Sequence, residues 1–149
     1  MKHSYIFEEG IWSASGRYYD KNQACISLSG KTKISHKNDH WVLDGFMELA
    51  LDKPVKFTNR YSIEPIASEK DFTFWSSINP ALGKLLGKFM IIGDTILSSY
   101  ASENGLYSGS ESLILIDKKT YKNKGFTFRG RNKFSSWEVD LNRMSKAEE

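Results

Sequence analysis

Apolar and polar residues alternate along most of this 149-residue chain. In the segment 55–64, every second residue from Lys56 onward is charged or carries a hydroxyl group, and the positions between them are mostly apolar or aromatic. A period of two is typical of a half-buried β-strand. The same alternation recurs at residues 24–34, 41–51 and 137–141. The pattern therefore predicts a chain built mainly of strands.

Short clusters of Asp, Asn, Gly and Pro separate these runs and predict tight turns. They indicate about ten strands at the short, even spacing of an antiparallel sandwich or barrel. The Asn104-Gly105 pair predicts a two-residue type I′ hairpin, which would place Tyr100 opposite Gly109 and Ser98 opposite Glu111. The turn clusters are residues 20–22, 37–39, 52–54, 93–94, 104–105 and 123–125.

One segment has the pattern of a helix. Asn79 is a suitable N-cap, Pro80 suits the first helical position, and Gly87 would end the element. Leu82, Leu85 and Leu86 would share one face. We therefore predict one short helix at residues 79–87, which would connect the two halves of the chain.

Gly10-Ile11-Trp12, followed by a strand-like run and a series of hairpins, resembles the opening of the calycin superfamily, which includes the lipocalins and the intracellular fatty-acid-binding proteins. The resemblance implies an all-β, up-and-down antiparallel barrel that occupies residues 1–149 as a single domain. It also implies that Trp12 lies at the closed end beneath a basic residue of the last strand, for which Arg143 is the candidate. An Arg over a Trp face forms a cation-π pair worth roughly 0.5–2 kcal/mol.

The chain also differs from both of these families. Lipocalins are usually secreted and often disulfide-linked, whereas this chain has Cys25 as its single cysteine. Fatty-acid-binding proteins carry a helix pair between the first two strands, and the cluster at 20–22 leaves no room for one. The ligand site of either family therefore cannot be transferred residue by residue.

Composition and charge limit the classes of protein to which this chain can belong. Hydrophobic residues make up 40% and the net charge is +3, which indicates a folded globular protein and does not by itself imply a polyanionic partner. The N-terminus lacks an apolar signal region and reaches an acid at Glu8, and the longest apolar run, 89–92, is too short to span a bilayer. We expect a cytoplasmic protein with no membrane partner. Its oligomeric state does not follow from the sequence.

The predicted inward face combines apolar residues with a polar set. Hydroxyls, an amide and a carboxylate inside an apolar cup would orient a small, partly apolar ligand, lipid-like or aromatic. The alternative is a filled barrel in which the tyrosines are core residues and the carboxylate lies at the rim. We expect no cofactor. The predicted ligand-binding residues are Tyr18, Asn59, Tyr61, Tyr100, Tyr107 and Glu111.

Glu111 also has a possible catalytic role. Loss of hydration would raise the pKa of this carboxyl group, so that it could act as a general acid or base, with Tyr100 or Tyr107 as proton donors. The phenolic acid decarboxylases, lipocalin-like barrels that use tyrosines and a carboxylate, imply a cofactor-free lyase or isomerase as an alternative function. A structural or rim carboxylate is the simpler interpretation.

Basic residues gather between Lys118 and Lys133, where seven Lys or Arg occur without an acid. The segment 124–128 resembles the start of an RNA-recognition signature, which suggests weak nucleic-acid or polyanion binding as a further alternative. The match fails after Phe128. We favour a hairpin that turns at 123–125, with Phe126 and Phe128 inward. His36 and His40 flank a turn rather than sharing a helix face, so no metal site is expected.

Overall fold

Ten antiparallel strands follow one another around a closed barrel in the computed structural model, which describes residues 2–149. Each strand pairs with its neighbours in sequence, and β1 pairs with β10 to close the sheet. The predicted all-β, up-and-down antiparallel barrel of about ten strands is therefore confirmed. The strands are β1 (Gly10–Tyr19), β2 (Cys25–His36), β3 (Trp41–Leu49), β4 (Val55–Ile63), β5 (Phe72–Asn79), β6 (Gly83–Ile92), β7 (Thr95–Ser102), β8 (Tyr107–Asp117), β9 (Thr120–Arg129) and β10 (Asn132–Arg143).

The β7–β8 hairpin has the predicted register, with Tyr100 opposite Gly109 and Ser98 opposite Glu111. Its turn differs from the prediction, because Gly105 has a φ of 78° while Asn104 is not in the left-handed region. The Gly105 N–H donates to the Ser102 carbonyl, and Asn104 Oδ1 accepts from the Leu106 N–H. A four-residue loop built in this way gives the same register as a two-residue loop.

The predicted helix at 79–87 is wrong. β5 continues to Asn79 and β6 begins at Gly83, so only a turn separates them. Asn79 Oδ1 accepts from the backbone N–H groups of Ala81 at 2.8 Å and Leu82 at 3.0 Å. These are the hydrogen bonds of a helix N-cap, but they also form an Asx turn, and Gly83, with a φ of 81°, directs the chain back into a strand.

The predicted turn at 123–125 is also wrong, because β9 passes through it without a break. Asn123 is buried and its Nδ2 donates to the Ser112 carbonyl at 3.1 Å. Phe126 is 44% exposed, and Phe126 and Phe128 pack edge to face on the outer surface rather than inward. The turn lies at 130–131, after β9 ends. Asn and Gly occur in mid-strand at these positions because of their cross-strand neighbours, not because the chain reverses.

The segment that precedes β1 closes one end of the barrel. His3, Ser4, Tyr5 and Ile6 are buried, and the hydroxyl of Tyr121 lies within hydrogen-bond distance of His3 Nδ1 at 2.8 Å and the Ser4 N–H at 3.1 Å. Ser4 Oγ donates to the Lys118 carbonyl, and His3 Nε2 lies 2.9 Å from the Gly93 carbonyl. We call residues 3–8 the plug. It is fastened to the β6–β7 and β8–β9 turns.

Trp12 is fully buried at this closed end and lies directly opposite Arg143 in the β1–β10 register. The guanidinium does not stack on the indole: Nη1 donates to Glu8 Oε1 at 2.9 Å and Nη2 donates to the Glu9 carbonyl at 2.7 Å. The expected cation-π contact is absent from residues 2–149, where such contacts involve other pairs. Arg143 instead fastens the end of the plug to the last strand, because both of its partners belong to the segment that precedes β1.

The wall is least complete between β4 and β5. β4 pairs with β5 only from Tyr61 to Ile63, opposite Trp75–Ser77, whereas its pairing with β3 extends over the whole strand. The first part of β4 therefore has one edge without a neighbouring strand. We call this gap the β4–β5 seam. Residues 2–149 contain no helix of the length and apolarity needed to cross a membrane.

Candidate ligand cavity

A cavity of about 210 Å³ lies inside the barrel, and Tyr5 of the plug is one of its lining residues. Side chains of Leu43, Leu85, Phe89 and Leu113 form part of its apolar wall. Ala81 and Leu82, in the β5–β6 turn, line it at the end opposite the plug, so the cavity reaches the open end of the barrel. Its polar lining residues include Asn59, Tyr61, Tyr100, Glu111, Asn123 and Thr127.

Aromatic rings next to the cavity lie against glycines on the adjacent strand. Gly87 is opposite Trp75, Gly109 is opposite Tyr100 and Gly125 is opposite Trp137. In each pair a Cβ atom on the glycine would overlap the ring, so only glycine permits the ring to lie so close to the wall. A ring that lies over a glycine occupies less of the interior than a ring held away from the wall by a Cβ atom. These three pairs therefore leave space for the cavity.

Glu111 projects into this cavity from the middle of β8. Burial raises the pKa of this carboxyl group to about 7, and within residues 2–149 no hydrogen bond or nearby cation counteracts the effect. The part of its surface that remains accessible faces the cavity. A carboxyl group in this position would accept a hydrogen bond or pair with a cation if a ligand supplied one.

The charge of the Glu111 carboxylate acts on three phenols of the interior. The pKa values of Tyr5, Tyr61 and Tyr100 are all raised, first by burial and also by the charge of Glu111. The pKa of Tyr100 reaches about 12, although the hydrogen bond between its hydroxyl and Thr127 Oγ1, at 2.6 Å, lowers it. The Tyr61 ring packs against Trp75, with centroids 4.5 Å apart. All three hydroxyls are therefore neutral near pH 7 and can donate or accept hydrogen bonds.

The structure brings five of the six predicted ligand-binding residues to the cavity wall: Tyr18, Asn59, Tyr61, Tyr100 and Glu111. Tyr107 lies nearer the mouth, where its ring packs edge to face on Phe134 and the Arg129 guanidinium lies 5.8 Å from its centroid. Whether any of these residues binds a ligand stays a prediction.

Several lining residues were not predicted. Asn123 was missed because the predicted turn at 123–125 would have removed it from the wall, although its position between Lys122 and Lys124 was an available signal. Thr127 was missed because Phe126 and Phe128 were predicted to face inward, which would turn Thr127 outward. Tyr5 was missed because the plug has no period of two.

The basic segment 118–133 extends from the closed end to the open end along β9, so its cations do not form one patch. A ten-residue strand spans about 30 Å. Lys122 pairs with Asp140 at 2.7 Å on the outer surface. In residues 2–149 no group of three His, Cys, Asp or Glu side chains is placed to hold a metal ion. His36 contacts the Ile6 carbonyl and His40 contacts Asp39.

No protein-family model matches the chain, and no curated protein matches its sequence significantly. Among solved structures, an S-type phycobiliprotein lyase, CPES from Guillardia theta, is similar with a TM-score of 0.66 at 7% identity, over 92% of this chain and 88% of that one. An N-terminal dehydratase from the difficidin assembly line aligns over 96% and 80%, at 10% identity, with a TM-score of only 0.28. The first likeness shows that this chain has a calycin-like barrel fold.

Proposed function

We propose that this protein binds a small, partly apolar ligand inside its barrel. The observation that carries the proposal is a hollow, largely apolar cavity with a carboxyl group, Glu111, at its inner wall, for which residues 2–149 supply no hydrogen-bond or ion-pair partner. Natural binding sites commonly combine apolar walls with a few convergent polar groups. The barrel architecture shared with a phycobiliprotein lyase is consistent with this function.

The wall chemistry favours a ligand that has an aromatic or lipid-like body and a hydrogen-bond donor. Glu111 is the acceptor deep in the cavity, and it gains most from an N–H or ammonium group, because an unpaired buried carboxylate is costly. Leu43, Phe89 and Leu113 supply apolar contact. A ligand whose inner end is a carboxylate would meet repulsion from Glu111 instead.

Calorimetric titration with three matched probes tests this proposal. Naphthylmethylamine, ethylnaphthalene and naphthylacetic acid share a two-ring body and differ in the terminal group. At about pH 8, where Glu111 is mostly ionised, the amine should bind at least about tenfold more tightly than ethylnaphthalene, since a charged hydrogen bond contributes roughly 1.5–3 kcal/mol. The acid should bind most weakly.

Glu111→Gln should remove the preference for the amine while ethylnaphthalene still binds. Glu64→Gln, which alters an exposed acid outside the cavity, is the matched control and should behave like the wild type. Native mass spectrometry of protein purified from its host should also detect a retained small molecule. If no probe binds and no molecule is retained, the barrel is not a binding protein of this kind.

A second candidate is a cofactor-free isomerase or lyase in which Glu111 exchanges a proton with a bound substrate. A pKa raised to about 7 suits a general base, and Tyr100 on the next strand supplies a neutral donor. Tyr107 lies outside the cavity lining, so Tyr100 is the better partner. Solvent deuterium should enter the methyl group of bound acetonaphthone, as followed by NMR, and Glu111→Gln should stop it. Exchange at the buffer rate would eliminate this candidate.

We also propose a reducing compartment, such as the cytoplasm, as the location of the protein. The thiol of Cys25 is exposed and free, and such a thiol is readily oxidised outside reducing compartments.

A further inference from the structure

The outer surface of β5–β8 carries many exposed large apolar side chains, with Lys88 and Ser99 among them, which is unusual for the solvent side of a barrel. Phe72 lies opposite Met90, and Met90 lies opposite Leu97 on the next strand. Ile92 on β6 and Ile114 on β8 both lie opposite Thr95 of β7, one on each side of it. All five of these apolar side chains are exposed to solvent. Four more exposed apolar side chains face outward on these strands: Phe74, Ile78, Leu86 and Ile116. We call these nine residues the apolar face.

The outer surface on the other side of the barrel is different. Outward positions of β2 and β4 carry Lys31, Lys33, Lys56, Thr58 and Arg60. This is the pattern expected where one side of a sheet meets water. The contrast within one sheet indicates that the apolar face is normally covered.

The area of the apolar face is large enough for a stable interface. Large apolar side chains facing outward on β5–β8 are each between 37% and 67% exposed. With about 200 Å² for a fully exposed side chain of this size, nine such residues present about 800 Å². A standard interface buries about 800 Å² on each partner, whereas most monomers expose apolar patches of only a few hundred Å².

One acid and one lysine at the apolar face are placed to fit a second copy. Asp94 lies in the β6–β7 turn and Lys88 lies in the middle of β6, and neither forms an ion pair within residues 2–149. A twofold axis in the plane of the face and perpendicular to the strands, close to Leu97, would place Asp94 of each copy against Lys88 of the other. A copy with parallel strands would bring like charges together.

We propose that two copies of this chain form a symmetric dimer through the apolar face, with their strands antiparallel across the interface. Such an isologous contact uses the same patch twice, so it closes on itself and leaves no apolar surface for further association. Both barrel mouths stay accessible, because the apolar face lies on the side wall. This inference is independent of the ligand proposed above.

Light scattering after size exclusion tests the proposal over loadings from about 1 to about 100 µM. The wild type should have the mass of two 17.0-kDa chains. Leu97→Glu should raise the dissociation constant at least about 100-fold and give a monomer, since a carboxylate would be buried at the centre of the contact. Thr58→Glu, the same charge added to the polar outer surface of β4, should remain dimeric.

A charge exchange keeps the proposal testable even if Leu97→Glu fails to fold. Asp94→Lys and Lys88→Asp should each weaken the dimer, and the double variant should recover it, because the two residues face each other across the twofold axis. A wild type that is monomeric at the highest loading would overturn the proposal. So would a monomer that binds neutral lipid vesicles, because a membrane would then cover the face.

Discussion

Tyr121→Phe tests how the plug is held. This substitution removes one oxygen atom from a fully buried side chain and leaves the ring in place. The Gly93 carbonyl only accepts hydrogen bonds, so His3 Nε2 donates to it, while His3 Nδ1 and the Tyr121 hydroxyl share a hydrogen bond of 2.8 Å. That hydroxyl in turn accepts from the Ser4 N–H at 3.1 Å and from the Tyr5 N–H at 3.4 Å.

Without the hydroxyl, His3 Nδ1 and the backbone N–H groups of Ser4 and Tyr5 lose this partner. An unsatisfied buried group costs about 1–3 kcal/mol, so the two shorter of these hydrogen bonds alone give an expected loss of about 2–6 kcal/mol in the free energy of unfolding. For a chain of this size, each 1 kcal/mol lowers the melting temperature by about 2–4 °C. Urea unfolding, followed by tryptophan fluorescence, should show a lower midpoint with an unchanged slope.

Tyr19→Phe is the matched control, because it removes the same atom from a hydroxyl that donates to Glu138 at 3.1 Å near the surface. Water can replace that partner, so we expect a loss below about 0.5 kcal/mol. If Tyr121→Phe is no more damaging than Tyr19→Phe, the Tyr121 hydroxyl does not hold the plug, and the closed end must be stabilised by other contacts.

Three further predictions concern the cavity and the closed end. Folding raises the pKa of Glu111 from 4.5 to about 7, so the native state binds a proton more tightly than the unfolded state, and the free energy of unfolding should fall by at most about 3 kcal/mol as pH rises from about 5 to about 8. Urea midpoints of Glu111→Gln should not show this fall, and parallel pH profiles of the two proteins would contradict the prediction. Gly87→Ala should displace the Trp75 ring, change its fluorescence and cost about 1–3 kcal/mol, whereas the outward change Ser99→Ala should do neither. Arg143→Met, which keeps the apolar stem, should lower the free energy of unfolding by about 1–3 kcal/mol, because the contacts to Glu8 and the Glu9 carbonyl are lost. Arg60→Met, at an exposed ion pair, should lower it by less than about 1 kcal/mol. Equal decreases for the two variants would refute the role of Arg143 in fastening the plug.

The strands could be predicted because an inward face and an outward face demand different residues at alternate positions. From the same alternation, the β7–β8 register and the inward direction of Tyr100 and Glu111 could also be predicted. Prediction failed at residues whose type suits two different local structures. Asn79 makes the same hydrogen bonds in an Asx turn as at a helix N-terminus, and Gly125 is needed for the Trp137 ring rather than for a turn.

The plug could not be predicted from the sequence, because its partners are distant. Tyr121 contacts Ser4 across 117 positions, and neither residue lies in a pattern that indicates the other. The hollow interior could not be predicted for the same reason. Whether Trp75 fills the barrel or lies against the wall depends on its cross-strand neighbour Gly87, which only the register reveals.

The β4–β5 seam affects the tendency of this chain to aggregate at high concentration. A closed barrel has no free strand edges, but the first part of β4 restores a short one, and free edges invite pairing with strands of other molecules. Lys56 and Arg60 lie on the outer surface beside this edge, where Arg60 pairs with Asp44, and exposed charges beside a free edge oppose the approach of a second strand. Replacing both with uncharged residues would therefore favour aggregation while the barrel itself stays folded.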